Sequence, residues 1–346
     1  MKQTILEIKS QYEALSQTLA LFETRRTGLA AQWAEDPPRA LVFLGCGSSY
    51  MVACSLRDAA SSMMDIPVFA IAAGDLWLNH SQYRRQLSGA MVVAVSRSGR
   101  TSEILHAVDA LKADGVTFRL CSLVAAVKTP LSECSDMALE MPWAFDESVC
   151  QTRSVSNLYA AGICLLAGFA GDGKSVEQMK ALAQEGPAYL EKVESLMHGI
   201  ASENWKKVVV LADGQCAGLS TEGALAFQEI AQVPACQHHV LDVRHGPMVL
   251  INSETLVLAY LYPDGQPQQE ALLRDLLKKG ARILAYSNLP RKIPDVETVC
   301  LGTDVGVAAG GIAFLNLCQL VAYEKSMETG SDPDAPDGLD AWIQVN

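Results

Sequence analysis

No Cys-x-x-Cys pair occurs in this chain, although ten cysteines are scattered from Cys46 to Cys318. With no secretion signal and many of them in apolar segments, they read as reduced, mostly buried thiols of a cytoplasmic protein. There is no basic block either. Lys plus Arg number 27 against 39 Asp plus Glu, a net charge of -12. Nucleic-acid phosphates require clustered counter-charges, so no nucleic-acid partner is expected, and the same sign disfavours anionic membrane surfaces. The start, MKQTILEIKSQYEAL, is amphipathic and places Glu7 where a signal peptide needs an apolar run. Two apolar stretches, Val155–Ala170 and Val305–Tyr323, are at or below bilayer-spanning length, and the second carries Asn316 and Gln319. They are expected to be buried core helices rather than membrane spans. The dinucleotide fingerprint GxGxxG is also missing: after Gly45 and Gly47 the third position holds Tyr50. No nucleotide cofactor is expected, and an NAD-type oxidoreductase lacks its acid at the end of the second strand.

What the chain does have is core material and a repeat. Hydrophobic residues make up 49% and charged ones 19%, so the 346 residues are ample for two domains. Short β-rich runs alternate with helical patterns in both halves. The first half predicts strands at Leu41–Leu44, Val68–Ile71, Met91–Val95, Thr117–Leu123 and Met137–Met141. The second predicts Lys207–Leu211, His239–Val243, Leu256–Tyr262, Arg282–Tyr286 and Val296–Leu301. Near-continuous apolar strands between helices imply parallel strands covered on both faces. The fold class is α/β: two doubly wound, flavodoxin-like parallel units of five strands each, in tandem. The expected organisation is a helical segment 1–35, a first domain 36–170, a connector 171–197, a second domain 198–331 and an extended tail 332–346. Ile5, Ile8, Tyr12, Leu15, Leu19 and Phe22 give a helix over Met1–Arg25 one apolar face. The connector reads as helical with a break at Gly186-Pro187.

Five motifs carry chemistry. The first strand runs into Gly45-Cys46-Gly47-Ser48-Ser49-Tyr50, and the third into Ser96-Arg97-Ser98-Gly99-Arg100-Thr101-Ser102-Glu103. In open α/β sheets ligands sit beyond the carboxyl ends of strands, and a Gly/Ser turn entering a helix offers N–H groups, hydroxyls and a positive dipole end. The second of these loops reads as a phosphate cup; plain helix capping, including a capping box, is the alternative for both. Asp146–Ser154 is either a third ligand loop, with Gln151 facing sugar hydroxyls, or a polar loop and N-cap. In the second half, Glu222 and Glu229 lie seven residues apart on one largely apolar helix face, an acid/base pattern whose alternative is a solvated edge. His245 precedes Gly-Pro, a turn that suits either a proton relay or a surface histidine. His238, His239, Asp242 and His245 do not make a metal site at fixed ligand spacing, and no metal is expected.

Together GCGSSY, SRSGRTSE, ESVCQTRS, EGALAFQE and RHGP resemble the tandem sugar isomerase (SIS) proteins. These include the isomerase half of glucosamine-6-phosphate synthase, the ketose/aldose isomerases or deaminases of galactosamine catabolism, and fructosamine-6-phosphate deglycases. The resemblance covers nearly the whole chain. It implies that Ser96, Arg97, Ser98 and Thr101 hold the sugar phosphate, and that Cys46, Gly47, Ser48, Val149 and Gln151 contact the sugar. It makes Glu229 the proton-shuttling carboxylate, Glu222 a second carboxylate near the substrate, and His245 the ring-opening histidine. It also implies a homodimer in which His245 enters the neighbouring subunit's site. Three departures count against synthase chemistry: no glutaminase domain precedes the first unit, and Ala226 and Ala341 stand where the synthase has lysines. The expected function is a metal-independent, Glu/His-driven enzyme on a hexose or amino-sugar 6-phosphate, working through an enediol or enaminol. Isomerisation, deamination and deglycation all fit, and a sugar-phosphate sensor without turnover is the alternative.

Overall fold

The computed structural model describes residues 2–340; Ala341, one of the two lysine-equivalent positions, lies outside them. Helix α1 (Gln3–Glu35) is followed by β1 (Leu41–Gly45), α2 (Ser48–Met63), β2 (Val68–Ala72), α3 (Ala73–Leu78), α4 (His80–Leu87), β3 (Ala90–Ser96) and α5 (Ser102–Ala113). Then come β4 (Phe118–Val124), α6 (Pro130–Glu133), β5 (Met137–Glu140), α7 (Arg153–Ala170) and α8 (Gly173–Ala201). The second series is β6 (Lys207–Leu211), α9 (Ala217–Glu229), β7 (Ala235–His238), β8 (Thr255–Tyr260), α10 (Gln266–Lys278), β9 (Arg282–Ser287), β10 (Glu297–Cys300) and α11 (Gly306–Thr329).

These elements form two units. One holds residues 13–147, 151–180 and 340, the other residues 2–12, 148–150 and 181–339. The first sheet runs β2-β1-β3-β4-β5 and the second β7-β6-β8-β9-β10, all parallel. Numbered from its own first strand, each sheet reads 2-1-3-4-5, so the repeat seen in the sequence is a repeat of topology. The central strands β1, β3 and β8 are buried along their whole length, as strands covered on both faces must be. One face of the first sheet packs Val42, Leu44, Val92 and Ala94 against Ile104, Val108 and Leu111 of α5. In the second, Val209, Leu211, Val257 and Ala259 meet Leu272 and Leu276 of α10.

Four local expectations need correction. The first helix continues past Arg25 to Glu35, because Leu29 is buried and the Trp33 ring stacks on Phe169 at 4.5 Å, extending the apolar stripe. The connector does not break at Gly186-Pro187: α8 is one helix with Pro187 inside it. A proline there loses a backbone hydrogen bond, but Leu182, Tyr189, Leu190, Val193 and Met197 give the helix a continuous buried stripe. The strand expected at His239–Val243 lies earlier, at Ala235–His238. Beyond it the Asp213 carboxylate takes the Val240 N–H at 3.0 Å, and the chain turns into a 3-10 helix over Asp242–Arg244. Finally, α3 and α4 fill the β2–β3 connection, where no helix was read; each buries a leucine, Leu76 and Leu87. The expectation for Val305–Tyr323 stands: α11 is long and apolar enough to cross a membrane, yet 83% of its most apolar stretch is buried within the protein.

Gly186 shows how tightly α8 packs on the start of α1. A Cβ there would sit 2.4 Å from the ring of Tyr12, itself buried. Gly186→Val is expected to cost about 1–3 kcal/mol through overpacking, read as a lowered thermal midpoint. An unchanged midpoint would mean that the ring swings aside freely.

Candidate functional site

In the first unit the strand order reverses between β1 and β3, so connections leave these two neighbours towards opposite sides and open a crevice at their carboxyl ends. The two Ser/Gly loops start there. After β1 the turn is tight. A Cβ on Gly45 would lie 2.5 Å from the backbone of Ser49, and Gly47 has φ 52°. Cys46 and Gly47 lie in this turn, and Ser48 starts α2. After β3, Ser96 Oγ lies 3.0 Å from Thr101 Oγ1 and accepts the N–H of Gly99 at 3.0 Å. Ser98 Oγ accepts the N–H of Arg100 at 3.2 Å. Arg97 is 5% exposed, with its guanidinium 5.8 Å above the Phe145 ring. This loop is braced from outside. Gly99 sits at φ 61° with its Cα against Thr129, whose side chain closes a capping box with Ser132 at the start of α6. Leu131 N–H donates to the Gly99 carbonyl at 3.1 Å.

The helix starts separate the candidate loops. Neither α2 nor α5 has a side-chain cap: Ser102 turns its hydroxyl to Glu103, and the capping box read from Thr/Ser and Glu does not form. Helix α7 is different. The buried Asp146 carboxylate accepts the N–H groups of Thr152 (2.9 Å), Arg153 (3.1 Å) and Ser154 (2.9 Å), and the Ser154 hydroxyl. Its N-terminus already holds an anion, so the third loop meets the polar-cap reading at the helix start. Gln151 is half-buried there, accepting from Ser154 Oγ at 3.2 Å. Asp146 is six to eight residues from its donors, outside any local capping spacing, and only the folded loop shows its role.

The second unit repeats the topology but not the opening. Beyond β8, Tyr262 donates its hydroxyl to the carbonyl of Asp213, beyond β6, and accepts that residue's N–H at 3.1 Å. Burial pushes the phenol far above its ordinary pKa, so it remains a donor. Gln269 ties the same loop by accepting the Tyr262 N–H at 3.0 Å. The place equivalent to the β1/β3 crevice is thus bridged by the protein's own groups. Val149, Glu222, Glu229 and His245 all belong to this unit. Glu222 lies in α9, 1% exposed; Glu229 ends the same helix and is half-buried, and Ala226 between them is buried. His245 is exposed, on a turn anchored by Arg244–Asp275 at 2.7 Å. The histidines take separate partners, His238 with Cys236 (3.5 Å) and His239 with Asp213 (3.0 Å). Among the described residues no three His, Cys, Asp or Glu side chains gather as a metal would need.

The Cys46 thiol is pushed up to about 11, first by burial and then by the Glu103 carboxylate, against the opposing N–H groups of Gly74 and Ala73. It is a neutral thiol at pH 7. Iodoacetamide is therefore expected to label Cys46 slowly at neutral pH, its rate still rising towards pH 11 by peptide mass mapping. A rate that levels off near neutrality would contradict this.

Residues 37–167 match the SIS domain model. Over 315 residues, 88% of this chain, the sequence is 26% identical to glutamine–fructose-6-phosphate aminotransferase (isomerizing) of Sulfurisphaera tokodaii, half of whose length is covered. The chain thus spans about half the length of the curated relatives it matches. Among solved structures, tagatose-6-phosphate ketose/aldose isomerase from Escherichia coli superposes with a TM-score of 0.85 at 22% identity, covering 100% of this chain and 97% of that one. Glucosamine-6-phosphate deaminase from Thermotoga maritima gives 0.81 at 23%, covering 99% and 100%. Likeness at this identity shows the fold: both solved proteins share it across their full length.

Proposed function

We propose that this chain, whose residues 37–167 match the SIS domain model and whose fold is shared with a solved ketose/aldose isomerase, is a tandem SIS isomerase-type enzyme acting on a hexose or amino-sugar 6-phosphate. The observation that supports this reading is the pair of loops at the β1/β3 switch point, where α2 and α5 start without a side-chain cap and the loop before α5 holds the hydroxyls of Ser96, Ser98 and Thr101. Helix N-termini with free N–H groups are ready-made phosphate sites. They act over a few ångströms, so a single phosphate is held despite a net charge of -12. Cys46, Gly47, Ser48, Val149 and Gln151 contact the sugar.

The proton work falls to His245, Glu229 and Glu222. His245 opens the sugar ring by moving a proton at the ring oxygen. Glu229 takes a proton from one of the carbons C1 and C2 and returns one to the other, through an enediol or, on an amino sugar, an enaminol. Glu222 stands as the second carboxylate. Protonation of the enaminol at carbon gives an imine, to which water adds before the amine leaves and the carbonyl forms, completing a deamination or deglycation; without that hydrolysis the product is the isomer. The relatives are named for aminotransfer, deamination and ketose/aldose isomerisation, and each name carries a sugar 6-phosphate. Ala226 and Ala341 stand at lysine-equivalent positions, the second that of the imine-forming lysine, and together count against aminotransfer through an imine. The turn of His245 is exposed beside Val249 (78% exposed) and Leu250 (71%), which suits a homodimer whose second copy covers it and receives the histidine.

The test pairs binding with turnover. Glu229→Gln is expected to lower kcat about 10²–10⁴-fold on glucosamine 6-phosphate, tagatose 6-phosphate or a fructosamine 6-phosphate, whichever the parent converts, while leaving the thermal shift by that sugar phosphate intact. Equal turnover by variant and parent would end this mechanism, and a parent that binds without making product would leave a sensor. Separately, Gly99→Ala puts a Cβ 2.2 Å from Thr129 Oγ1 and is expected to weaken inorganic phosphate binding at least about tenfold by calorimetry. Unchanged affinity would take the phosphate away from this loop.

A further inference from the structure

The segment Ser148–Cys150, which carries Val149, packs with residues 2–12 and 181–339 rather than with the loop residues on either side of it. Two acidic residues far away in sequence hold it. Glu7, in the second turn of α1 and 0% exposed, accepts the Ser148 hydroxyl and, at 3.3 Å, the Ser148 N–H. Its carboxylate also accepts the Gln3 side chain at 3.0 Å. Asp334, in the tail, accepts the Val149 N–H on its carbonyl at 3.0 Å. Its side chain caps α1, accepting the N–H groups of Gln3 (3.0 Å) and Thr4 (2.8 Å) and the Thr4 hydroxyl (2.8 Å). Asp332, paired with Lys2 at 2.7 Å, accepts the Asp334 N–H in turn. The connections form a ring: tail to helix start, helix to Ser148, and Val149 back to the tail.

The ring points one residue outward. Ser148 and Cys150 are buried, whereas Val149 between them is half-exposed. A three-residue stretch fixed at two successive N–H groups and a hydroxyl has little backbone freedom left, so the orientation of Val149 is set before any ligand arrives. Pre-set geometry spares a ligand the ordering cost of the loop. We propose that Glu7, Ser148 and Asp334 are positioning residues: a clamp, built from near both ends of the chain, that presents Val149 to the sugar. This rests on the sugar-phosphate reading above.

The experiment uses the full chain and compares Glu7→Gln, Ser148→Ala and Ser148→Thr. For each, KM and kcat are measured on the hexose 6-phosphate the parent converts, with inorganic phosphate affinity and the thermal midpoint alongside. Glu7→Gln and Ser148→Ala are expected to raise KM about tenfold, the scale of a lost charge-assisted hydrogen bond, with kcat within about threefold. Inorganic phosphate, taken by the Ser96–Thr101 loop, should bind within about twofold of the parent, and Ser148→Thr, which keeps the hydroxyl, should restore KM. An unchanged KM overturns the clamp. So does a fall in sugar and phosphate affinity together, in step with the midpoint, since that marks a role in stability only. Should Glu7→Gln fail to fold, Ser148→Ala decides by itself. A parent that neither binds nor converts any hexose 6-phosphate sinks the functional reading and the clamp with it; a parent that does, beside variants that match it, sinks the clamp alone.

Discussion

The N–H groups in the first turn of an α-helix have no partner inside that helix, and each must find one elsewhere. Much of the chemistry described for this chain follows from how that requirement is met, helix by helix. At α7 a buried carboxylate, Asp146, meets it from within the protein. At α1 the tail residue Asp334 does the same. At α2 and α5 no side chain does. These two are also the helices that begin beside the reversal point of the first sheet, so helix starts without a side-chain cap coincide with the place where ligands sit in open α/β sheets. An anion is the natural occupant of such a place, and phosphate brings enough oxygens to meet several donors at once.

The second sheet repeats the strand order of the first, and its divergence is therefore informative. The backbone plan alone would make a crevice twice. In the second copy Tyr262 reaches from one strand end to the other and satisfies both the N–H and the carbonyl of Asp213. In the first copy the equivalent strand ends in Ser96, whose hydroxyl turns to Thr101 and Gly99 within its own loop. The second copy, bridged by Tyr262, is also the one that carries Glu222, Glu229 and His245.

Most of the fold was legible because its cause is local. A strand buried on both faces must be almost wholly apolar, and Leu41–Leu44, Met91–Val95 and Leu256–Tyr262 carry that mark directly. Errors arose where a distant contact overrode the local pattern. His239–Val243 has strand-like composition, yet Asp213 captures the Val240 N–H and turns the chain. Gly186-Pro187 is a local helix breaker, yet the buried stripe of α8 carries the helix through it. The glycine there leaves room for the Tyr12 ring, which no local rule would reveal.

By itself the sequence determined the α/β class, the tandem repeat, the five strands of each unit and the residue types gathered after the first and third strands. It did so because periodicity, turn residues and side-chain chemistry are properties of short segments. It could not decide which helix starts remain open, since Asp146, Asp334 and Tyr262 act across gaps that only folding closes. The same holds for Glu7, whose carboxylate looks like one more polar residue of an amphipathic helix until Ser148 is brought to it. Hydrogen-bond satisfaction is a property of the finished packing, and it is that packing which separates a helix start without a side-chain cap from a capped helix of similar composition.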